Sequence, residues 1–172
     1  GAALRKRGIV SLDRLVAAAS YREAALRQTV HVFKYSRMRE RGQDLAACLF
    51  PCLCLLSHMP SPVLCPVPLH WMRRMFRGFN QSTDLAAMIA KEKEWQVHAL
   101  LRRVRSGHAQ VGLSTTLRRQ NVQGIFQCRE APPPYVLLVD DVATTGATLD
   151  ACAKALKDAG AKRVEALVVA LG

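Results

Sequence analysis

Two apolar runs near the C-terminus constrain the fold of this chain more than any other feature of its sequence. Tyr135–Val139 is entirely apolar, Arg163–Leu171 is mainly apolar, and each has the length of a β-strand. The segment between them, Leu149–Ala159, has helical spacing and is followed by Gly160, a residue typical of helix ends. Strands that are apolar on both faces belong to parallel sheets covered on both sides. The C-terminal part of the chain therefore predicts a strand–helix–strand unit of an α/β fold.

The loop between this strand and this helix, Asp140–Thr148, is polar and begins with an acidic pair. Asp140 and Asp141 would stand at the C-terminal end of a buried strand, where open α/β sheets bind their ligands. Gly146 would let the backbone approach a phosphate, which would be held by the N–H groups at the helix start and by three hydroxyls, those of Thr144, Thr145 and Thr148. The lysine of a P-loop and the three glycines of a dinucleotide fingerprint are absent. An acidic pair before a phosphate-binding turn suits a ribose 5-phosphate, and the alternative is that both acids only cap the following helix.

A second group of motifs lies upstream of this loop. The sequence VPLH at 67–70 ends a predicted strand, RGFNQ follows at 77–81, and the pattern continues with Gln110, Arg118, Asn121 and GIF at 124–126. Together with the acidic loop, these motifs resemble the ComF/GntX family of phosphoribosyltransferase-like proteins over about residues 21–172. The loop itself resembles the signature with which type I phosphoribosyltransferases bind 5-phosphoribosyl-1-pyrophosphate (PRPP). The resemblance implies the type I phosphoribosyltransferase fold, an α/β fold with a mostly parallel sheet flanked by helices and a small N-terminal helical hood.

The same resemblance implies how PRPP would be held. Asp140 and Asp141 would bind the ribose hydroxyls directly or through Mg²⁺, so they are the expected metal ligands and also catalytic residues. The 5′-phosphate would be wrapped by Ala143, Thr144, Thr145, Gly146, Ala147 and Thr148. The pyrophosphate would be bound by the loop after the first core strand, through Leu69, His70, Arg73, Arg74 and Arg77. The alternatives are a structural role for the histidine and solvated surface charges for the arginines.

A basic segment from Arg102 to Arg119 contains five arginines and no acidic residue. It resembles the mobile loop that closes over PRPP in this fold and excludes water from an oxocarbenium-like transition state. Arg102 and Arg103 are therefore expected to be catalytic, and loop closure is assigned to Gln110, Arg118 and Asn121. For Arg118 and Asn121 the alternative is that they dock the loop onto the body of the protein.

Residues 1–60 are predicted to form the helical hood, and residues 61–172 the PRPP-binding core. The first twenty residues indicate a weak helix or an arm, and helices are expected over Tyr21–Lys34 and Gln43–Phe50. The central parallel sheet is expected to contain Pro62–Val67, Val97–Val104 and the two C-terminal strands.

Six cysteines are present, and none of them forms a C-x-x-C pair. Members of the family typically carry a cysteine-rich zinc-binding segment at the N-terminus, which is here absent, lost or replaced. The cysteines are therefore expected to be reduced, with no bound zinc. A weaker alternative is a zinc site formed by Cys48, Cys52, Cys54 and Cys65.

The chain has a net charge of +12, from 25 Lys and Arg against 13 Asp and Glu, so its partners are expected to be anions. One function that fits is an enzyme that transfers the phosphoribosyl group of PRPP to an unidentified acceptor and releases pyrophosphate. The other is a module that senses PRPP or binds single-stranded DNA or DNA-uptake proteins, since ComF-type proteins are associated with the uptake of transforming DNA. A homodimer is compatible with both. No signal peptide or membrane-spanning run is visible, which predicts a cytoplasmic protein.

Overall fold

The computed structural model describes residues 2–21, 28, 40–56, 61–69, 78–104 and 124–172. Within these residues four parallel strands form a central sheet: β1 (Arg14–Ser20), β2 (Val63–Pro66), β5 (Tyr135–Ala143) and β6 (Arg163–Leu171). Their order across the sheet is β1–β6–β5–β2. Two short strands outside it pair antiparallel, β3 (Leu101–Arg103) and β4 (Phe126–Cys128). The helices are α1 (Ala2–Lys6), α2 (Glu40–Leu49), α3 (Gln81–Lys93) and α4 (Ala147–Asp158), with a 3₁₀ helix at Phe50–Leu55.

Both faces of the central sheet are covered. α2 and α3 pack on one face, where Leu85 belongs to the same apolar cluster as Leu137 of β5. α4 and the β3–β4 pair pack on the other face, where Leu156 and Phe126 share a cluster with Leu138. Neighbouring residues of β5 thus point to opposite, equally apolar faces, which is why the strand is apolar throughout. The predicted parallel sheet with flanking helices is confirmed.

The prediction of a helix or an arm for residues 1–20 is wrong for Arg14–Ser20, which forms the edge strand β1. Its alanines favour a helix in isolation, but Val16 is buried where β1 pairs with β6. Asp13 starts this pairing, because its N–H donates to the Val164 carbonyl at 2.9 Å and its Oδ2 accepts from the Val164 N–H at 2.8 Å. Tertiary pairing therefore overrides the local helical preference.

The strand predicted over Val97–Val104 is also wrong as a continuous strand of the central sheet. Val97 forms a single parallel bridge to Leu64, whose backbone makes two flanking hydrogen bonds of 2.9 Å. The chain then leaves the edge of the sheet, because Leu100 is buried in the cluster around α4, and the following residues pair with β4 instead.

The remaining predictions for the N-terminal part have different outcomes. The helix predicted over Gln43–Phe50 is confirmed by α2, and Pro51 lies in the 3₁₀ helix that follows. The helix predicted over Tyr21–Lys34 falls almost entirely outside the described residues. The division between residues 1–60 and 61–172 stays a prediction, and β1 places part of the first segment in the core sheet. Among the described residues, no helix combines the length and the apolar character needed to cross a membrane.

The cysteines proposed for the alternative zinc site do not converge. Cys65 belongs to the apolar cluster on the α4 side of the sheet, whereas Cys52 packs against the cluster on the α2 side. Cys48 and Cys54 are exposed. The alternative of one zinc site shared by all four thiols is therefore wrong.

Two buried thiols should make the stability of this fold fall at alkaline pH. Burial raises the pKa of Cys65 from 9.0 to about 12, and burial, with Cys65 and Asp140 nearby, raises that of Cys152 well above 9.0. Above about pH 9 the unfolded chain loses these protons while the folded chain keeps them, so the free energy of unfolding should fall by roughly 1 kcal/mol per thiol by pH 10.

Urea unfolding at pH 8 and pH 10 measures this effect. The higher pH does not exceed 10.0, the ordinary pKa of Tyr135, so that ionisation of this phenol in the unfolded chain contributes little. Cys65→Ala with Cys152→Ala should lose less stability over this interval than the wild type, and Cys54→Ser, at an exposed position, should behave like the wild type. An equal loss in the double variant and the wild type would contradict the explanation.

Candidate functional site

The carboxyl edge of the sheet, where β2 ends and β5 continues, carries both predicted acidic residues. The last pairing of β2 joins Pro66 to Val139, and β5 then runs on beside β6 as far as Ala143. Asp140 and Asp141 therefore lie within a strand, and the prediction that a loop begins at Asp140 is wrong. Pairing with β6 holds these residues extended, so that the first half of the predicted loop, residues 140–143, belongs to the strand.

Hydrogen bonds orient both carboxylates. Oδ1 of Asp140 accepts from Ser82 Oγ at 2.8 Å and from the Asp141 N–H at 2.9 Å. Asp141 is only 8% exposed, and its Oδ1 accepts from the Val142 N–H at 2.7 Å. A carboxylate offers about four lone-pair positions, so each group can accept several hydrogen bonds at once. Oxygen ligands of this kind suit ribose hydroxyls or a hydrated Mg²⁺.

The predicted phosphate loop follows β5 directly. Gly146 has a φ of 78° and is the N-cap of α4, so the alternative that the two acids cap this helix is wrong. The Ala147 N–H donates to Thr145 Oγ1 at 3.3 Å, while the Thr144 side chain is exposed. A glycine with positive φ before a helix whose first N–H groups point outwards is typical of an anion-binding turn.

The segment predicted to bind pyrophosphate is tied down where it begins and where it ends. Asn80 Nδ2 donates to the Val67 carbonyl at 3.1 Å, next to the end of β2. Asn80 Oδ1 accepts from the Ser82 N–H at 3.3 Å and thereby caps α3. Leu69 is half-buried beside the end of β2. The other predicted pyrophosphate-binding residues, His70, Arg73, Arg74 and Arg77, lie outside the described residues.

Arg102 and Arg103 lie in β3, and both contact β4. Arg102 donates from Nε and Nη2 to Gln127 Oε1 at 3.1 and 2.7 Å, and the Arg103 guanidinium lies 5.7 Å from the centre of the Phe126 ring. Leu101 of β3 and Phe126 of β4 share an apolar cluster with Cys152 of α4, so this pair of strands packs against the helix that follows the acidic edge. The loop-closure residues Gln110, Arg118 and Asn121 lie outside the described residues.

Sequence reasoning missed three residues that shape this edge. The first is Ser82, whose hydroxyl donates to Asp140 Oδ1. Ile9 lies against Gly146, and Asp150 binds the backbone that follows Ile9. A hydroxyl close to the RGFNQ motif could have indicated Ser82. The other two residues meet only through folding, across a sequence separation of more than a hundred residues.

Comparisons with known proteins agree with this geometry. A family model for the phosphoribosyl transferase domain matches residues 134–172. Competence protein F of Haemophilus influenzae is 34% identical over 112 residues, which cover 62% of this chain and 48% of that protein. DNA utilization protein YhgH of Escherichia coli O157:H7 is 34% identical over 166 residues, which cover 89% of this chain and 70% of that protein. The chain thus spans about half the length of the first relative and more than two thirds of the second.

The structure of an allosteric regulatory enzyme of purine biosynthesis superposes on this chain with a TM-score of 0.50. The two chains are 19% identical, and the match covers 81% of this chain and 30% of the enzyme. A likeness at this level of identity concerns the fold alone.

Proposed function

Because this chain belongs to the ComF family of phosphoribosyltransferase-like proteins and has the type I phosphoribosyltransferase fold, as the sequence predicted, we propose that its carboxyl edge binds PRPP together with Mg²⁺. The observation that carries the proposal is the position of Asp140. Ser82 of α3 orients its carboxylate, and the glycine turn before α4 follows directly after the end of the same strand, β5. A ribose 5-phosphate has its hydroxyls and its phosphate at opposite sides of one small ring. The acidic pair would bind the hydroxyls, and the glycine turn, which follows it in the chain, would bind the phosphate.

The charges support the same ligand. Two adjacent carboxylates would repel a ligand that carries three phosphoryl groups, and bound Mg²⁺ would offset this repulsion and bridge carboxylate and ligand oxygens. Asp140 and Asp141 would orient the ribose hydroxyls, while the N–H groups after Gly146 would bind the 5′-phosphate. The residues from Leu69 to Arg77 would bind the pyrophosphate.

We further propose that the reaction is transfer of the phosphoribosyl group to an acceptor that the sequence does not identify. Pyrophosphate would leave from the side of the segment that Asn80 ties to Val67. The basic segment that begins at β3 would close over the ligand and exclude water, since water would otherwise hydrolyse PRPP. A screen for PRPP-dependent release of pyrophosphate across nucleobases, amines and oligonucleotides tests the proposal, and isothermal calorimetry with PRPP and Mg²⁺ tests binding alone. Failure of PRPP to bind would overturn the proposal.

Replacement of Arg102 and Arg103 by alanine should lower turnover more than it lowers PRPP affinity. Both side chains now contact β4, and their contacts with the ligand would form mainly on closure, so they would stabilise the transition state more than the bound substrate. We expect turnover to fall by about 10²-fold and PRPP affinity to change by less than about threefold. Steady-state kinetics and calorimetry on the same variant measure both, and an equal loss in the two quantities would contradict a role in closure.

The names of the relatives support a second proposal, a role in DNA utilisation through the basic surface. The net charge of +12 would attract single-stranded DNA. In that case the same Arg102/Arg103 variant should bind oligonucleotides more weakly, and the negative slope of log K against log salt should become shallower by about 0.7 for each lost phosphate contact. Filter binding at several salt concentrations measures this slope, and an unchanged slope would exclude these arginines from a DNA interface.

A further inference from the structure

The backbone segment after α1 lies against the phosphate loop and is held there by one carboxylate. Oδ1 of Asp150, in the first turn of α4, accepts from three consecutive N–H groups: Val10 at 2.9 Å, Ser11 at 2.6 Å and Leu12 at 3.3 Å. Consecutive N–H groups that converge on one oxygen form an anion-binding nest. In this protein the anion is a side chain of the phosphate-binding helix itself.

This attachment places Ile9 over the glycine of the turn. Ile9 is 1% exposed, and a Cβ atom built on Gly146 would overlap its Cδ1 atom. The φ of 78° at Gly146 is one that residues with a side chain rarely adopt. Ile9 and the positive φ therefore both restrict position 146 to glycine, and Ile9 packs directly against the turn.

A second attachment holds the other end of the loop. Arg7 Nη1 donates to the Gly172 carbonyl at 2.8 Å, and the Gly172 N–H donates to the Ala143 carbonyl at 2.8 Å. Gly172 also lies against Thr144, whose Cα would be 3.5 Å from a Cβ added there. The segment from Arg7 to Leu12 is therefore connected to the phosphate loop both before Thr144 and after Gly146.

We propose that Asp150 is a positioning residue for the 5′-phosphate subsite. By binding the N–H groups of residues 10–12 it keeps Ile9 against Gly146, and it thereby keeps the N–H groups at the start of α4 in a phosphate-binding arrangement. A carboxylate in this first turn that accepted no hydrogen bonds would repel a phosphate. The three N–H donors to Asp150 Oδ1 reduce that repulsion. The inference rests on the proposed function, since the phosphate in question is that of PRPP.

Calorimetry with two ligands tests this inference. Ribose 5-phosphate reports on the turn of α4, whereas Mg²⁺-pyrophosphate reports on the other end of the site. We expect Asp150→Ala to weaken ribose 5-phosphate binding by about tenfold, the loss typical of one good hydrogen bond, and to change pyrophosphate binding by less than about twofold. Asp150→Asn keeps one acceptor oxygen and should give an intermediate loss. Asp158→Ala, an exposed acid at the opposite end of α4, is the matched control and should change neither affinity.

Hydrogen exchange on the ligand-free protein separates the possible failures. Amides of residues 10–12 and 147–149 should exchange faster in Asp150→Ala than in the wild type. Unchanged ribose 5-phosphate affinity in this variant, or an equal loss for both ligands, would overturn the inference and leave the proposed function intact. Failure of the wild type to bind ribose 5-phosphate and PRPP would instead overturn the proposed function. If Asp150→Ala does not fold, Asp150→Asn and Ile9→Val supply the same comparison.

Discussion

Asp140→Ala should weaken PRPP binding by about 1.5–3 kcal/mol, or about 10- to 150-fold, because it removes a charge-assisted contact with the ribose or its Mg²⁺. Asp141→Ala should have an effect of the same size. The loss should be largest in the presence of Mg²⁺, because both carboxylates are the expected oxygen ligands. Isothermal calorimetry with PRPP at fixed Mg²⁺ concentration measures these affinities.

Two further variants make this test specific. Ser82→Ala removes one of the donors to Asp140 Oδ1 but keeps the carboxylate, so its loss should be smaller, about 1 kcal/mol. Asp158→Ala removes an exposed acid of α4 and should leave PRPP affinity unchanged. Wild-type affinity in a variant that carries both Asp140→Asn and Asp141→Asn would refute the assignment of the acidic pair.

Glu165→Ala should lower the free energy of unfolding by about 3 kcal/mol, because it removes a buried carboxylate together with its hydrogen bond to Tyr135 and its ion pairs with two partly exposed arginines. The Glu165 side chain is fully buried on β6. Its carboxylate accepts from the Tyr135 hydroxyl at 2.7 Å and from Arg163 Nε at 3.0 Å, and it lies 3.6 Å from Arg14 Nε. The alanine variant would leave a cavity, the Tyr135 and Arg163 donors without this acceptor, and Arg14 without this ion-pair partner. Urea denaturation at neutral pH measures the loss.

The predicted loss of stability in Glu165→Ala depends on the burial of this carboxylate, and two control variants test that dependence. Glu165→Gln keeps the volume and an acceptor for Tyr135, so it should cost about half as much. Asp158→Ala breaks an ion pair with Lys154 in which both side chains are 62% exposed, and its effect should stay within about 0.5 kcal/mol. A loss below about 1 kcal/mol in Glu165→Ala would mean that the cost of burying the carboxylate cancels its interactions.

The C-terminal half of the core could be predicted from the pattern of apolar residues. Continuous apolar runs can be satisfied only between two covered faces, and so the β5–α4–β6 unit could be predicted with its strands parallel. The acidic pair and the glycine turn were recognised for a related reason: both are local features, and their chemistry depends on adjacent residues. The sequence placed the end of β5 too early, at Val139. Asp140 and Asp141 are polar and resemble the start of a loop, and only their alignment beside β6 shows that they continue the strand.

Which distant residues complete the site could be learned only from the folded chain. Helical propensity describes the alanines of β1 correctly for an isolated chain, but pairing with β6 and burial of Val16 outweigh it. The donation from Ser82 to Asp140 joins residues 58 positions apart, and the nest at Asp150 joins residues about 140 apart. Contacts of this kind have no periodicity and no local signature in the sequence. The Ser82 contact exists because parallel strands bring their carboxyl ends to one edge of the sheet. The Asp150 contact forms because the segment before β1 runs along α4, where Asp13 also binds Lys157.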